Sequence, residues 1–170
     1  MKLELGELAT PLGDLRFARS SGRVVGLAFA DAWPALERAL GRRLGPIEWN
    51  AAHGAADLLA RLDAWFAGDL STLDGVELEL VGTEFQRRVW RALCAVPAGE
   101  TTSYAALARA IGAASAVRAV GAANGANPIW LVVPCHRAIG SDGGLVGYGG
   151  GLERKRWLLA HEARFAARRA

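Results

Sequence analysis

Residues 83–125 read TEFQRRVWRALCAVPAGETTSYAALARAIGAASAVRAVGAANG. This stretch decides the fold of the half of the chain that carries the chemistry. Thr83, followed three residues later by Gln86, makes a capping box, so a helix opens there. Phe85, Val89, Trp90 and Leu93 share its inward face, and Arg87, Arg88 and Arg91 lie on the other. Pro97-Ala98-Gly99 is a loop. Thr102 or Ser103 caps a second helix that runs through Ile111, and Gly112 breaks it. Ser115 caps a third helix through Asn124, which Gly125 ends. Two short helices joined by a Gly-containing turn are a helix-turn-helix candidate, although any helical hairpin shares the pattern. The third helix is built from Ala116, Ala119, Gly121, Ala122 and Ala123, with Arg118 its one long polar side chain. A major-groove reader needs several Arg, Asn or Gln side chains. This smooth face suits either close packing on another helix or close approach to DNA with little sequence preference.

Downstream, Asn127-Pro128 turns the chain, and Ile129 to Val133 reads as a short buried strand that Pro134 stops. Cys135-His136-Arg137 follows. A thiol attacks as thiolate, and a neighbouring imidazole or cation is what lowers its pKa. A lone Cys is more often a small buried residue than a nucleophile. Gly140 to Gly144 is a flexible loop, and Tyr148 sits in a Gly-rich frame, Gly147 to Gly151, that permits close approach to a ligand. A last helix runs from near Leu152 through Lys155, Trp157, Leu158 and Leu159 to Glu162, ahead of a basic tail ending in Arg168 and Arg169.

Upstream, residues 2–8, Leu15 to Ala18 and Val24 to Phe29 form a meander of three antiparallel strands with turns at Pro11 to Asp14 and Ser20 to Gly22. Helices over Pro34 to Leu44 and Ala55 to Phe66 follow, the second capped by Gly68. Val76, Leu78 and Leu80 alternate with Glu77 and Glu79 as a half-exposed strand. Residues 1–82 hold no catalytic constellation and read as an α/β structural domain. Residues 83–170 read as a mainly α domain for DNA binding and chemistry.

Apolar residues are 52% of the 170 and charged residues 22%, which fits packed domains and excludes a disordered chain. No apolar run spans a membrane, and the opening MKLELGELATPLG lacks a signal-peptide core. Cys94 and Cys135 are therefore expected as reduced thiols in a cytoplasm. With His53, His136 and His161 they show no zinc spacing, so no metal and no cofactor is expected. Residues 1–82 carry 8 Lys/Arg against 12 Asp/Glu, a net −4; residues 83–170 carry 12 against 5, a net +7. The basic half points to a polyanion as partner.

Taken together, Phe85-Gln86-Arg87-Arg88-Val89-Trp90, Pro97 to Tyr104, Arg118-Ala119-Val120-Gly121, Asn127-Pro128, Val133 to Arg137, Gly147 to Gly151, Lys155, Leu158-Leu159 and Glu162 resemble the O6-alkylguanine–DNA alkyltransferases. The resemblance runs without a gap over residues 83–162. It implies a ribonuclease-H-like N-terminal domain and a C-terminal winged helix-turn-helix. It implies double-stranded DNA bearing alkylated guanine as partner, and a monomer without membrane attachment. Irreversible transfer of the alkyl group to Cys135 would follow, with base flipping and a single turnover; O4-alkylthymine is a further candidate substrate. In the roles it implies, His136 is general base through a water and Glu162 orients it, Lys155 and Tyr148 donate to the base, and Asn127 ties the reactive turn to the helix pair. Arg118 fills the vacated stack and Tyr104 crowds the 3′ phosphate, with Ser103, Ala119 and Gly121 also on DNA. Val133, Trp130, Val146, Gly149 and Gly150 line the pocket, the carbonyls near Val133 and Val146 reading the guanine amino group. Gly149 departs from the Ser or Ala frequent there, and residues 1–82 lack the Cys of a zinc site that some relatives carry.

Two other readings fit parts of the pattern. A non-catalytic relative that only binds alkylated DNA would lack the acceptor, and Cys135 is present. A Cys–His hydrolase acting on a small ester or amide would turn over, but the basic half and the helix pair speak for DNA.

Overall fold

In the computed structural model, which describes residues 1–52 and 54–167, the chain folds into two compact units. The first takes Met1–Val81 together with Pro128–Trp130; the second takes Gly82–Asn127 and continues from Leu131. Three residues beyond position 82 thus belong with the N-terminal unit, which the division into 1–82 and 83–170 did not foresee.

In the first unit, β1 (Lys2–Leu8), β2 (Leu15–Ser20) and β3 (Arg23–Phe29) pair antiparallel, β1 with β2 and β2 with β3. Leu15 and Phe17 of β2 are fully buried and face Phe29 and Leu27 of β3 in register. Alternation puts these four on one face of the sheet. Gly6 pairs with Phe17, and a Cβ on Gly6 would lie 2.2 Å from the Phe17 ring, so only glycine leaves room for the ring. Helices α1 (Trp33–Leu44), with Pro34 in its first turn, and α2 (Ala56–Phe66) bury Leu40, Leu58, Leu62 and Trp65.

A fourth strand, β4 (Glu48–Ala51), runs parallel to β1, giving the order β3-β2-β1-β4. Sequence periodicity missed it because four residues with one buried-facing aromatic carry no period. The strand expected over residues 76–80 is a single bridge between Leu78 and Val24. The one expected over residues 129–133 is likewise one bridge, from Ile129 to Leu27, held by Leu27 N–H to Pro128 O at 2.8 Å and Trp130 N–H to Leu27 O at 2.8 Å. Leu131 then adopts φ 67°, which turns the backbone out of the extended path.

The second unit begins with α3 (Glu84–Cys94), opened by the full Thr83/Gln86 capping box. Val89, Trp90 and Leu93 are buried, and Trp90 Nε1 donates to Ala123 O at 2.8 Å. Arg88 is anchored by a hydrogen bond to Ile111 O. Ser103 caps α4 (Tyr104–Ala110) by accepting from Ala106 N–H at 3.0 Å. Helix α5 (Val117–Gly125) has Ala116 at its N-cap and no side-chain cap. The Ser115 cap is therefore corrected: Ala116 N–H closes a turn onto Ala113 O, which carries the chain past Ser115 before the helix starts. Two further strands escaped the sequence, β5 (Thr102–Ser103) and β6 (Ala138–Ile139), a parallel pair of two residues each. A 3₁₀ turn over Cys135–Arg137 precedes β6, and α6 (Leu152–Ala166) closes the unit. The 140–144 loop is tied by Gly140 N–H to Gly144 O, 2.8 Å, and by Gly144 N–H to Asp142 Oδ1, 2.9 Å.

Among the described residues no helix is long and apolar enough to cross a membrane. Among them, too, no cluster of His, Cys, Asp and Glu could hold a metal ion. His53, Arg168 and Arg169 lie outside the described residues.

Candidate active site

The site is built in the second unit on the 3₁₀ turn, where Pro134 stops pairing and a thiol, an imidazole and a guanidinium are buried in succession: Cys135, His136 and Arg137. Two asparagines hold the turn. Asn127, just after α5, donates from Nδ2 to Val133 O at 2.8 Å. Asn124, in the last turn of α5, donates from Nδ2 to Cys135 O at 3.4 Å. Cys135 N–H adds a bond to Val133 O at 2.8 Å.

Helix α6 supplies the other wall. Lys155 and Glu162 are fully buried on it, seven residues apart and so on one face. His136 Nε2 lies 2.8 Å from Glu162 Oε1. Arg137 grips the same carboxylate, with Nε 3.2 and 3.0 Å from its two oxygens and Nη2 2.8 Å from Oε1, and gives Nη1 to Val96 O at 2.6 Å. Gly99 N–H reaches Glu162 Oε2 at 3.2 Å. Burial alone would raise the Glu162 carboxyl, but the bonds and charges of His136 and Arg137 outweigh it and hold it at about 2. Burial lowers His136, so its imidazole rests neutral. With Glu162 ionised, His136 must carry its proton on Nε2, and Nδ1 is the bare nitrogen. Within the protein Nδ1 has no hydrogen-bond partner among the described residues.

Burial, above all, pushes the Cys135 thiol up to about 11, against the pull of the Asn127 amide and the Lys155 ammonium. The sequence neighbours supply no free cation beside it: His136 is neutral, and the Arg137 guanidinium is turned onto Glu162. The thiol therefore rests protonated and needs a base, the logic of a buried nucleophile with an oriented imidazole.

Lys155 Nζ is committed to three carbonyls, Ala138 O at 2.6 Å, Val146 O at 3.0 Å and Gly147 O at 3.3 Å. Tyr104 Oη donates to Val146 O at 3.1 Å. Each carbonyl has two lone pairs. Val146 O already accepts from Lys155 and Tyr104, and Val133 O from Asn127 and Cys135. Both carbonyls are thus already engaged. Tyr148 has a partly exposed ring and a buried hydroxyl, and burial raises its phenol well above the ordinary range, keeping it a neutral donor. Val146 and Gly149 are exposed, and Gly150 is half-buried. Trp130 belongs to the first unit, where it packs on Phe29 with ring centroids 6.1 Å apart.

Residues 84–164 match the family described as 6-O-methylguanine DNA methyltransferase, DNA binding domain. A methylated-DNA–protein-cysteine methyltransferase of Mycobacterium leprae is 54% identical over 117 residues, covering 68% of this chain and 70% of the relative. The protein belongs to the methylated-DNA–protein-cysteine methyltransferase family. The relative of the same name from Mycolicibacterium paratuberculosis is 61% identical over 109 residues, which is 64% of this chain and 66% of that one, just under two thirds of its length. Among solved structures, the crystal structure of Mycobacterium tuberculosis OGT in complex with DNA matches with a TM-score of 0.82 at 40% identity, over 97% of this chain and 94% of that one. The O6-methylguanine–DNA methyltransferase of the archaeon Pyrococcus kodakaraensis gives 0.74 at 29% identity, over 94% and 98%.

Within that family frame, the structure brings Cys135, His136, Glu162, Asn127 and Lys155 to one buried cluster, with Tyr104 linked through Val146 O. Arg118 and Ala119 stand exposed on α5 with Val117 and Ala122, while Val120, Ala123 and Asn124 face inward and Gly121 is half-buried. Ser103 is used as a helix cap. Arg137, Asn124 and Gly99 were missed as members of the cluster. Arg137 stood in the quoted motif, but its partner Glu162 is 25 residues away and no spacing rule pairs them.

Proposed function

We propose that this protein repairs guanine alkylated at O6 in duplex DNA by moving the alkyl group to Cys135, once per molecule. The observation that carries the reading is the buried thiol beside a neutral imidazole whose Nε2 is bonded to an ionised carboxylate, in a chain of this family. Nδ1 of His136 takes the thiol proton through a water. The sulfur electron pair forms the C–S bond as the C–O6 bond breaks, and the pair stays on the guanine. The Tyr148 hydroxyl donates to the departing base. Lys155, its donors held by carbonyls, acts through its charge and by bracing the 138 and 146–147 backbone. Nothing cleaves the thioether, so the protein is consumed.

The target atom lies inside the stack, so the nucleotide is turned out, at a few kcal/mol for unstacking. Helix α5 fits a minor groove: Ala119, Gly121 and Ala122 let the backbone approach, and Arg118 fills the vacated place. Tyr104 and Ser103, at the start of α4, crowd the phosphate. Gly149 and Gly150 wall the alkyl side of the pocket, and Val133 and Val146 complete it once a carbonyl is released. We read α4, α5 and the β5–β6 pair as a winged helix-turn-helix in residues 83–170. Residues 1–82 we read as a ribonuclease-H-like support, which the order β1-β2-β3-α1-β4, with β4 parallel to β1, favours. Two free thiols favour a reducing compartment such as the cytoplasm.

The test is intact and peptide mass after incubation with duplex DNA carrying one O6-methylguanine. One methyl group on the Cys135 peptide, and none on Cys94, is expected, with no further lesions repaired at equimolar protein. Methyl on Cys94 with Cys135 unmodified, or repeated turnover, would overturn the reading.

A further inference from the structure

Arg137 is a charged member of the cluster for which the reaction above has no use. We propose that it is a positioning residue for alkyl transfer: by occupying Glu162 it fixes which nitrogen of His136 is bare. The inference rests on the reading of the site given under Proposed function.

All three guanidinium nitrogens are engaged, two with Glu162 and the third with Val96 O. The carboxylate is ringed by donors. Oε1 takes His136 Nε2 and Arg137 Nη2, each at 2.8 Å, and Oε2 takes Arg137 Nε at 3.0 Å and Gly99 N–H at 3.2 Å. A proton on either oxygen would meet one of these donors head-on. Glu162 can therefore only accept, and His136 can only donate to it from Nε2. The sharing of Oε1 has a second effect. The guanidinium takes up part of the negative charge on which an imidazolium would lean. The proton removed from the thiol stays on the imidazole, is not passed to Glu162, and is held lightly enough to leave. An arginine that served only to tie the 96–99 loop to α6 would need the Val96 and Glu162 bonds but not an oxygen shared with the base.

Several other groups bear on this titration. Besides Glu162 and Arg137, the Lys155 ammonium acts on His136, and Lys155, Tyr104 and Tyr148 all feel Cys135. Arg154 lies toward Tyr148, and Cys94 toward Arg137. Glu162 is the one carboxylate among them.

Two measurements decide the matter. In the wild type, long-range 15N–1H correlation of the His136 ring should show a single neutral tautomer, Nε2–H, through neutral pH. A Nδ1–H ring there overturns the proposal whether or not any variant folds. In Arg137→Met the ring should become a tautomer mixture. Transfer from free O6-benzylguanine should slow at least about tenfold, a part of the roughly 10²–10⁴-fold that a positioned base supplies, and the acid limb of its pH profile should move upward. Arg137→Lys should recover part of the rate without the single tautomer. An Arg137→Met protein with wild-type tautomer and pH profile overturns the proposal. A wild type that takes up no alkyl group would instead sink the functional reading, and the ring spectrum would still answer this one.

Discussion

Eight polar or charged side chains are buried among the described residues. One, Arg19, lies in the first unit, and seven lie in the second: Asn124, Asn127, His136, Arg137, Lys155, His161 and Glu162. The first unit buries Leu15, Phe17, Leu27, Phe29, Leu62 and Trp65 and spends almost nothing on polar desolvation. Arg19 is answered there by Gly22 O and Gly54 O, both at 3.1 Å. The second unit burdens its core with an ion pair, two imidazoles, an ammonium and two amides. Buried polar groups destabilise unless every one is paired, and a hydrophobic core of equal volume is often as stable or more so. The difference between the units therefore marks where stability has been given up for chemistry.

Breaking the ionic cluster should have the largest effect. In Glu162→Gln, the buried Arg137 guanidinium loses its counter-charge, and His136 loses a partner that can only accept, since an amide can accept or donate and does not set the tautomer. Removing one partner of a buried pair costs about 3–5 kcal/mol, read as a lower urea midpoint. Alkyl transfer per folded molecule should fall as well. Arg19→Met is the control from the other unit. It removes a buried cation that no base depends on, so it should lower stability by about 1–3 kcal/mol and leave the transfer rate of the folded protein unchanged. Equal losses of transfer in both variants would erase the distinction between the units.

The pH dependence of stability sharpens the same contrast. Glu162 rests at about 2, below its ordinary 4.5. A depressed carboxyl stabilises the fold above the ordinary value and loses that contribution as pH falls from 4.5 toward 2. The loss amounts to about 3 kcal/mol. The Cys135 thiol is displaced the other way, from 9.0 up to about 11. Its contribution is present below pH 9 and is lost as pH rises toward 11. Urea titrations should show the acid loss below pH 4.5 shrink in Glu162→Gln and the alkaline loss between pH 9 and 10 vanish in Cys135→Ala, the raised Tyr148 and Tyr104 phenols contributing only above 10. A loss in that alkaline window that survives in Cys135→Ala would assign it to another group.

Much of this contrast was open to reading from the chain alone, for reasons that particular residues make clear. The Thr83/Gln86 box and the Val89, Trp90, Leu93 stripe specify α3 locally, and the meander follows from Leu15, Phe17, Leu27 and Phe29 alternating between turn residues. Cys135 and His136 are adjacent, so their chemistry is visible as a motif. What hid was non-local or too short to have a period: β4, the two-residue β5 and β6, and the single bridge at Ile129. Arg137 looked like a charge beside the nucleophile until α6, 25 residues on, brought Glu162 to it. Adjacency shows His136 and Arg137 beside the thiol but not where they face, and burial, which no sequence pattern reports, dominates its titration.

The smallest effect separates the two asparagines, which look alike in the sequence. Asn127 makes a 2.8 Å bond to Val133 O. Asn124 makes a 3.4 Å bond to Cys135 O, and its own Oδ1 is buried with no hydrogen-bond partner among the described residues. A net hydrogen bond contributes about 0.5–1.5 kcal/mol, whereas a buried polar atom left unpaired costs about 1–3 kcal/mol. Truncating Asn124 deletes a long, weak bond and an unpaired acceptor together, so the two terms oppose each other. Asn124→Ala should change stability by less than about 1 kcal/mol in either direction. Asn127→Ala deletes a short bond with no such compensation and should destabilise by about 1–2 kcal/mol. Because Asn124 is carried on α5 and touches the carbonyl of Cys135 itself, its loss should still loosen the 135–137 turn. Alkyl transfer should slow a few-fold, about 0.5–1 kcal/mol at the barrier, on duplex and free base alike. Chemical denaturation of both variants, with rates on O6-benzylguanine, reads the comparison. A large stability loss in Asn124→Ala would show that its Oδ1 is paired in solution, and that the second unit's core is better satisfied than its geometry indicates.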